Sequence, residues 1–530
     1  LVVEAPPARQ ARPETSGGSA PSLLVLSAHT PGALRERAAA VRRQLAGVDP
    51  PSLPALCPAA AVHLSHLEHR LALLALDGSR AVKILEDFLA GRSDPGLFTG
   101  RAREGEQGKL VFVLSGQGSQ WPGMGAGLMD REPVFRQAVM ECHRLMAKEG
   151  YDTLVDDLTG RTHAARLASS HRIQATLFAM QIGLARLWES VGIRPDALVG
   201  HSMGDVAAAH LAAALSLDDA VRIICRRGRL MRRVSGQGRM LAVDLPAAEA
   251  ARLLEGCHQK VVLAVSNSPA ASVLGGDPDA LTEMIPLLEA RGVGWRQVAM
   301  DVAAHTPQMD PLREELLEAL SPIRSRPAKL PLYSGVIGGR LGAGALDAAH
   351  WWRGMREPVR FSEAFRCLVE DGHDIFLEVS PHPILLPAME EGLHYLGRRG
   401  LVLGSLRRRV DPVSAYLKTL AALHMRGRPV DWRRLHPSGH PDLSLPLYPW
   451  QGERHWLSIG TSSTTLALPA PGAASHRPSS LPQEEREDLL YQVAWEEGGP
   501  VPARPLRPQA GSGAWLILAD RAGVGPAVSS

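Results

Sequence analysis

The sequence predicts an α/β protein: a large α/β unit interrupted by a smaller βαββαβ insert and preceded by a small α/β unit. Three observations predict it. Short apolar runs of strand character alternate with segments of helical period along most of the chain. A tight Gly-rich turn follows directly on an apolar strand at two places, GQGSQ at 116–120 and GHSMG at 200–204. Residues 239–303 carry the order strand, helix, two strands, helix, strand, which is the ferredoxin-like split motif.

At 530 residues the chain is too long for one ordinary domain. Hydrophobic residues make up 45% and charged residues 21%, a balance that can bury a substantial core, and the formal charge is only +3. No dense basic stripe argues for nucleic acid. No run reaches the roughly 18 consecutive apolar residues of a membrane span, and no charged region followed by an apolar stretch opens the chain. Cys57, Cys142, Cys225, Cys257 and Cys367 are scattered, without C-x-x-C or zinc-ligand spacing. They read as free buried thiols in a reducing cytoplasm, and the histidines show no paired metal-binding pattern. The chain begins with Leu1 rather than methionine and stops at Ser530 within what reads as a domain. It reads as a slice of a longer polypeptide.

Residues 6–22, rich in Pro, Gly, Ser and Ala, read as a linker. A strand at Leu23–Ser27, a helix at Pro31–Leu45, a strand at Glu68–Leu76 and a helix at Arg80–Ala90 then form the small α/β unit. Residues 91–108 read as a second linker. From Lys109 the pattern becomes strand KLVFVLS, a Gly-rich turn, helices, then the strand ALVG at 197–200 with a helix at once behind it. That is the form of an α/β core with its site at the carboxyl ends of the strands. In the 239–303 insert the strands are RMLAVDL, KVVLAVSNS, ASVLGG and GWRQVAMDV, and the helices PAAEAARLLEG and DALTEMIPLLEARG. Residues 331–425 return to strand and helix alternation, 426–457 form a Pro- and Trp-rich strap, 458–486 read as flexible, and a strand-rich segment begins at Tyr491.

Gly200-His201-Ser202-Met203-Gly204 is a G-x-S-x-G nucleophile elbow. Its glycines allow the strained turn that exposes the serine hydroxyl, and the Met203 N–H then faces any oxyanion formed there. Gly116-Gln117-Gly118 lacks the lysine of a phosphate-binding loop. It suits the second N–H that an oxyanion hole needs. His305 becomes a candidate base because a serine nucleophile needs one. Arg227 lies in SLDDAVRIICRRGRLMRR, where most arginines read as a solvated helix face. One arginine turned inward is the natural clamp for a free carboxylate.

GQGSQWPGMG, GHSMGDVAAAHLAAALSLDDAVRIICRRGRLMRR, VAAHTPQMDPL and EPVRF…FLEVSPHPIL resemble, in order and spacing, the malonyl-CoA:acyl-carrier-protein transacylase family over roughly residues 109–410. The likeness is strongest to acyltransferase domains of bacterial modular type I polyketide synthases. It implies an α/β-hydrolase-like large subdomain with an inserted ferredoxin-like small subdomain, preceded by a small α/β linker domain. The implied division is the end of a ketosynthase with a linker at 1–22, a ketosynthase-to-acyltransferase linker domain at 23–105, and the acyltransferase at 109–425. The post-acyltransferase linker is then 426–457 (LSLPLYPWQGERHW), followed by a flexible linker at 458–490. YQVAWEE and GAWLILADRAGVG within 491–530 resemble the start of a ketoreductase structural subdomain.

The resemblance implies Ser202 as nucleophile and His305 as base, the histidine being oriented by a backbone carbonyl, which by position belongs near Arg360. It implies Gln117 and Met203 as oxyanion-hole donors and Arg227 on the C3 carboxylate of the extender. Acyl-CoA is the implied substrate, with no bound cofactor or metal. The acyl carrier protein, which brings the phosphopantetheine, and the adjacent ketosynthase and ketoreductase domains are the implied partners. A cytoplasmic homodimer formed through the full synthase is also implied, with no nucleic acid or membrane partner.

Two departures stand out. The residue after the elbow is usually glutamate in the family and is Asp205 here, a conservative change expected to have small effects on packing. Malonyl-selective members carry HAFH at the base and methylmalonyl-selective members YASH. This chain has Val302-Ala303-Ala304-His305, so Val302, Ala304 and Met203 are the candidate specificity residues and the extender stays open between malonyl and methylmalonyl. An α/β-hydrolase-type thioesterase or esterase would share the elbow without the carboxylate clamp. A starter-unit loading acyltransferase would lack the arginine, and a non-catalytic scaffold would not need Ser202, His305 and Arg227 intact.

Overall fold

A computed structural model describes residues 2–4, 21–103, 105, 107–161, 169–255, 260–342, 344–436, 443, 445–452 and 515–517. The chain divides into two compact units, Thr15–Gln451 on one side and Leu1–Glu14 with Gly452–Ser530 on the other. Within the second of these, Val2–Glu4 pairs antiparallel with Trp515–Ile517. The tract at 458–486, expected from its sequence to be flexible, and the segment from Tyr491 to Ala514 lie outside the described residues.

The Thr15–Gln451 unit begins with a three-stranded antiparallel sheet, β1 (Ser22–Ala28), β2 (His69–Ala75) and β3 (Leu97–Arg101), in that order. The third strand falls inside the stretch expected to be a linker. Its sequence LFTGR has only two apolar residues, and pairing with β2 rather than its own pattern makes it a strand. The helix Leu53–His63 is an addition to the elements expected from the sequence; Pro54 in its first turn needs no N–H there. The sheet alternates cleanly. Leu24, Leu26, Leu71 and Leu73 pack under the helices Pro31–Leu45, Leu53–His63 and Gly78–Leu89. Leu23, Val25, Ala72 and Leu74 join the large core, against the helix Pro412–Met425. Part of the Pro/Trp-rich strap lies on the same unit: Tyr448 packs on its core, and its hydroxyl accepts from the His29 N–H at 3.1 Å.

The central sheet comprises β4 (Leu110–Leu114) and β5 (Ala197–Gly200), continued later in the chain. Between these two parts lies the insert, with β6 (Arg239–Val243), β7 (Val261–Ser266), β8 (Ser272–Gly276) and β9 (Trp295–Gln297). The later strands are β10 (Leu332–Ser334), β11 (Gly339–Arg340), β12 (Val359–Arg360), β13 (Ile375–Glu378) and β14 (Leu401–Gly404). The large sheet runs β11-β10-β5-β4-β13-β14 and is parallel except for the β11 edge. The small sheet runs β9-β6-β8-β7-β12, the ferredoxin-like order with one strand added. That addition, β12 parallel to β7, ties the PVRF segment to the insert.

Strands β4 and β5 are central and buried throughout, hence their unbroken apolar sequences. They pair in register, Leu114 opposite Gly200, so the turns that follow them emerge side by side at one edge of the sheet. Among the described residues no helix is long and apolar enough to cross a membrane. Four cysteines are described, all free; Cys57 and Cys142 are buried, whereas Cys225 and Cys367 are only partly so. The expectation of uniformly buried thiols fails for these two, each of which sits at the margin of its helix's packed face.

Candidate active site

Ser202 stands between β5 and the helix Gly204–Leu211 with φ 55°, a left-handed backbone that non-glycine residues rarely adopt. The conformation is held by close packing on both sides. A Cβ added to Gly204 would lie 1.9 Å from the Leu114 carbonyl oxygen, and one added to Gly200 2.2 Å from Asp205 Oδ1. We therefore expect Gly204→Ala to push the helix off β4 at a cost of about 3 kcal/mol or more. A thermal melt of the variant matching that of the parent would show that the elbow is looser than this.

His305 is in left-handed backbone too, at φ 64°, its N–H donating to the Met355 carbonyl at 2.8 Å. Two strained residues facing one another, each costing about 1–3 kcal/mol, mark a site whose geometry the surrounding fold over-determines. His305 Nε2 lies 2.8 Å from Ser202 Oγ, and its Nδ1 is 2.9 Å from the carbonyl oxygen of Glu357. That carbonyl leaves Nδ1 as the protonated nitrogen and Nε2 as the acceptor for the serine hydroxyl.

The orienting carbonyl is thus Glu357, not Arg360 as the sequence suggested. Arg360 is committed elsewhere. It lies in β12, its N–H donates to the Gly335 carbonyl at 2.6 Å, and its guanidinium reaches the Val336 carbonyl at 3.0 Å. The helix Ala348–Arg356 ends just before Glu357, which leaves that carbonyl outside any helical ladder.

Arg227 is 3% exposed on the helix Leu217–Met231. Ala220, Ile223, Ile224, Arg227 and Met231 make one buried stripe at helical spacing. The neighbouring arginines point away, Arg222 to Asp218 at 2.6 Å and Arg226 to Glu149 at 3.4 Å. Arg227 Nη2 donates to Ser202 Oγ at 3.1 Å, and its Nε has no hydrogen-bond partner among the described residues. A buried guanidinium without a paired carboxylate is an unfinished interaction.

Met203 follows Ser202 directly, and Gln117 follows Gly116, where an added Cβ would lie 3.6 Å from the Ser202 Cβ. Neither backbone N–H is bonded to another described residue, which leaves both as free donors. The Gln117 side chain is tethered through Ser170, whose hydroxyl also reaches Asp301; Asp301 accepts from Ser235 Oγ at 3.0 Å as well. His201 Nε2 meets Asn267 Oδ1 at 2.9 Å. Ser170, Asp301 and Asn267 went unforeseen because they belong to no motif with chemistry of its own. Glu378, at the carboxyl end of β13, is fully buried and accepts from the N–H groups of Ile384 and Leu385 at 2.9 Å each, bracing the loop that packs on Gly118. Val302, Ala304 and Met203 share one apolar cluster, whereas Ala303 turns to the other.

Burial, and next the Arg227 charge, pull His305 down to about 3, so it is neutral and ready to accept a proton. Burial likewise pulls His350 down to about 4 and pushes Asp205 and Glu378 up to about 7. The histidines are held neutral when folded, so below 6.5 the unfolded chain binds more protons and stability falls with pH. Asp205 and Glu378 act oppositely, their contribution being full below about 4 and lost as pH rises through about 7. Lowered histidines, among them also His66, His201, His210 and His424, outnumber these carboxyls. Each fully buried one is worth up to about 2 kcal/mol between pH 6.5 and 5. The melting temperature is therefore expected to drop from pH 7 to pH 5, and a rise would overturn the neutral assignment.

Residues 111–430 match the family model described as acyl transferase domain. The chain is 36% identical over 522 residues to erythronolide synthase EryA2 of Saccharopolyspora erythraea, covering 98% of this chain and 14% of that protein. It is 39% identical over 456 residues to the spectinabilin polyketide synthase system protein NorA′ of Streptomyces orinoci, covering 86% of this chain and 12% of that one. The chain thus spans a small part of these relatives. Among solved structures, the acyltransferase domain from module 8 of the salinomycin polyketide synthase superposes with a TM-score of 0.74 at 34% identity. That likeness covers 78% of this chain and 98% of the domain.

Proposed function

We propose, because this chain belongs to the acyl transferase domain family as found in modular polyketide synthases, that it moves a malonyl or methylmalonyl extender from coenzyme A to the phosphopantetheine thiol of an acyl carrier protein. The single observation that carries this reading is one hydroxyl with two partners. Ser202 Oγ has His305 Nε2 at 2.8 Å and Arg227 Nη2 at 3.1 Å.

In the first half-reaction His305 takes the Ser202 proton as the oxygen attacks the thioester carbonyl. The tetrahedral oxyanion is received by the N–H groups of Gln117 and Met203. Its collapse expels the coenzyme A thiolate, which collects the proton from His305 and leaves acyl-Ser202. The carrier thiol then repeats the sequence: His305 takes its proton, the thiolate attacks the ester carbonyl, and the proton returns to Ser202. Glu357 holds the imidazole in the tautomer both halves need.

Arg227, resting on the serine hydroxyl before substrate arrives, turns to the C3 carboxylate of the extender. This favours transfer of a dicarboxylic unit over a monocarboxylic starter and over simple ester hydrolysis. Met203, Val302 and Ala304 wall the C2 position. One methylene there is worth only about 1–3 kcal/mol, so discrimination between malonyl and methylmalonyl is modest.

Intact-protein mass spectrometry after incubation with malonyl-CoA tests the reading. The expected result is a stable malonyl adduct on Ser202 that discharges to an added carrier thiol. Prompt release as free malonate without transfer would instead identify a hydrolase.

A further inference from the structure

Beneath the elbow lies a pair of buried titratable groups that this mechanism leaves unused. Asp205 is 4% exposed, and His350, on the helix Ala348–Arg356, is fully buried. His350 Nε2 is 4.0 Å from Asp205 Oδ2. The Ser334 hydroxyl, at the end of β10, donates to Oδ2. Oδ1 has no hydrogen-bond partner among the described residues, and neither has either ring nitrogen of His350. Among the described residues the remaining charged group that acts on Asp205 is Arg227, and Asp205 is in turn the one charge there that supports the Arg227 guanidinium against its burial. The helix of His350 adds Arg353 and Asp347, which act on the imidazole with opposite sign.

Asp205 therefore faces Arg227 without pairing with it. It supplies negative charge while leaving the guanidinium fork free. A second carboxylate arriving on that fork must share one buried cation with Asp205. Two anions around a single guanidinium repel, and the inner one is relieved by taking a proton. His350, with both ring nitrogens unengaged and a small movement away, is placed to accept a hydrogen bond from the protonated acid.

We infer that Asp205, with His350 as its partner, is a second specificity-determining site of the acyl pocket, a counter-charge that takes up a proton from solvent when a substrate carboxylate occupies Arg227. The inference rests on the carboxylate role of Arg227 proposed above. Its consequence is that loading of dicarboxylic acyl groups is linked to pH, whereas loading of acetyl is not. Burial already pushes Asp205 up to about 7 in the free protein, so the uptake falls in the working range. Below about pH 5.5 the acid is protonated beforehand and nothing remains to be taken up.

The test uses the 530-residue chain carrying Ser202→Ala, which binds acyl-CoA without reacting. Calorimetric titrations in buffers of different ionisation enthalpy count the protons exchanged on binding. With malonyl-CoA we expect about half a proton more taken up than with acetyl-CoA at pH 7.5, and no difference at pH 5.5. Adding Asp205→Asn should abolish the difference at pH 7.5. His350→Phe, which keeps the carboxylate, should cut it by at least half, and it serves if the asparagine variant does not fold. Tighter binding of malonyl-CoA than acetyl-CoA with equal proton counts overturns the role of Asp205 alone. Equal affinities for the two ligands overturn the Arg227 clamp itself.

Discussion

Replacing Ser202 by alanine is expected to abolish acyl loading, with a loss in kcat/KM of about 10⁴-fold or more. In the proposed mechanism this hydroxyl is the nucleophile, and it is the point at which His305 and Arg227 converge, so the covalent intermediate depends on it. His305→Ala should cost nearly as much, and the double variant little more than either alone, because the two groups act as one unit. Labelling with radioactive malonyl-CoA, read as counts on the denatured protein, measures all three. Additive losses in the double variant would mean that His305 acts on a step separate from the activation of Ser202. Binding should survive in Ser202→Ala, since the oxyanion donors and Arg227 remain.

Arg227→Ala is expected to lower malonyl loading by about 10²–10³-fold while leaving acetyl loading within a few-fold of the parent. The magnitude follows from the worth of a buried, charge-assisted carboxylate pair, about 3–5 kcal/mol when one partner is removed. Only a 3% exposed arginine gives so large a difference, since a solvated one would be compensated by water. Competition between malonyl-CoA and acetyl-CoA, with the acylated protein resolved by mass, is the direct measurement. Unchanged malonyl preference would remove the clamp. Arg227→Lys should recover only part of the loss, because an ammonium offers no planar fork.

Several parts of this site are legible in the sequence. The elbow announces itself because strand, G-x-S-x-G and helix must coincide for a serine to be presented this way. Arg227 was singled out through the family resemblance, and the structure supplies the reason it turns inward: it shares the spacing of Ala220, Ile223, Ile224 and Met231. The ferredoxin-like insert was readable from its βαββαβ order, although its closing strand is only Trp295–Gln297 and the fifth strand, Val359–Arg360, arrives from far along the chain. Such a two-residue strand has no pattern of its own and exists through its partner.

Other features had no signature to read. The carbonyl that orients His305 belongs to Glu357, and any residue could supply it, so position in a motif misdirected the choice to Arg360. Asp205 looked like a conservative change at a helix start. Only burial against Ser334, Arg227 and His350 makes its charge matter.

The sequence by itself determined the α/β class and the family, and it singled out Ser202 and Arg227 as the residues of the proposed site. These follow from local periodicity and from turns that few residue types can make. Tertiary structure alone decided which histidine nitrogen meets the serine, which carbonyl holds the other, and which buried acid shares the field of Arg227. Those depend on distances between residues up to 145 positions apart, such as Asp205 and His350, and neither propensity nor spacing encodes a distance through space.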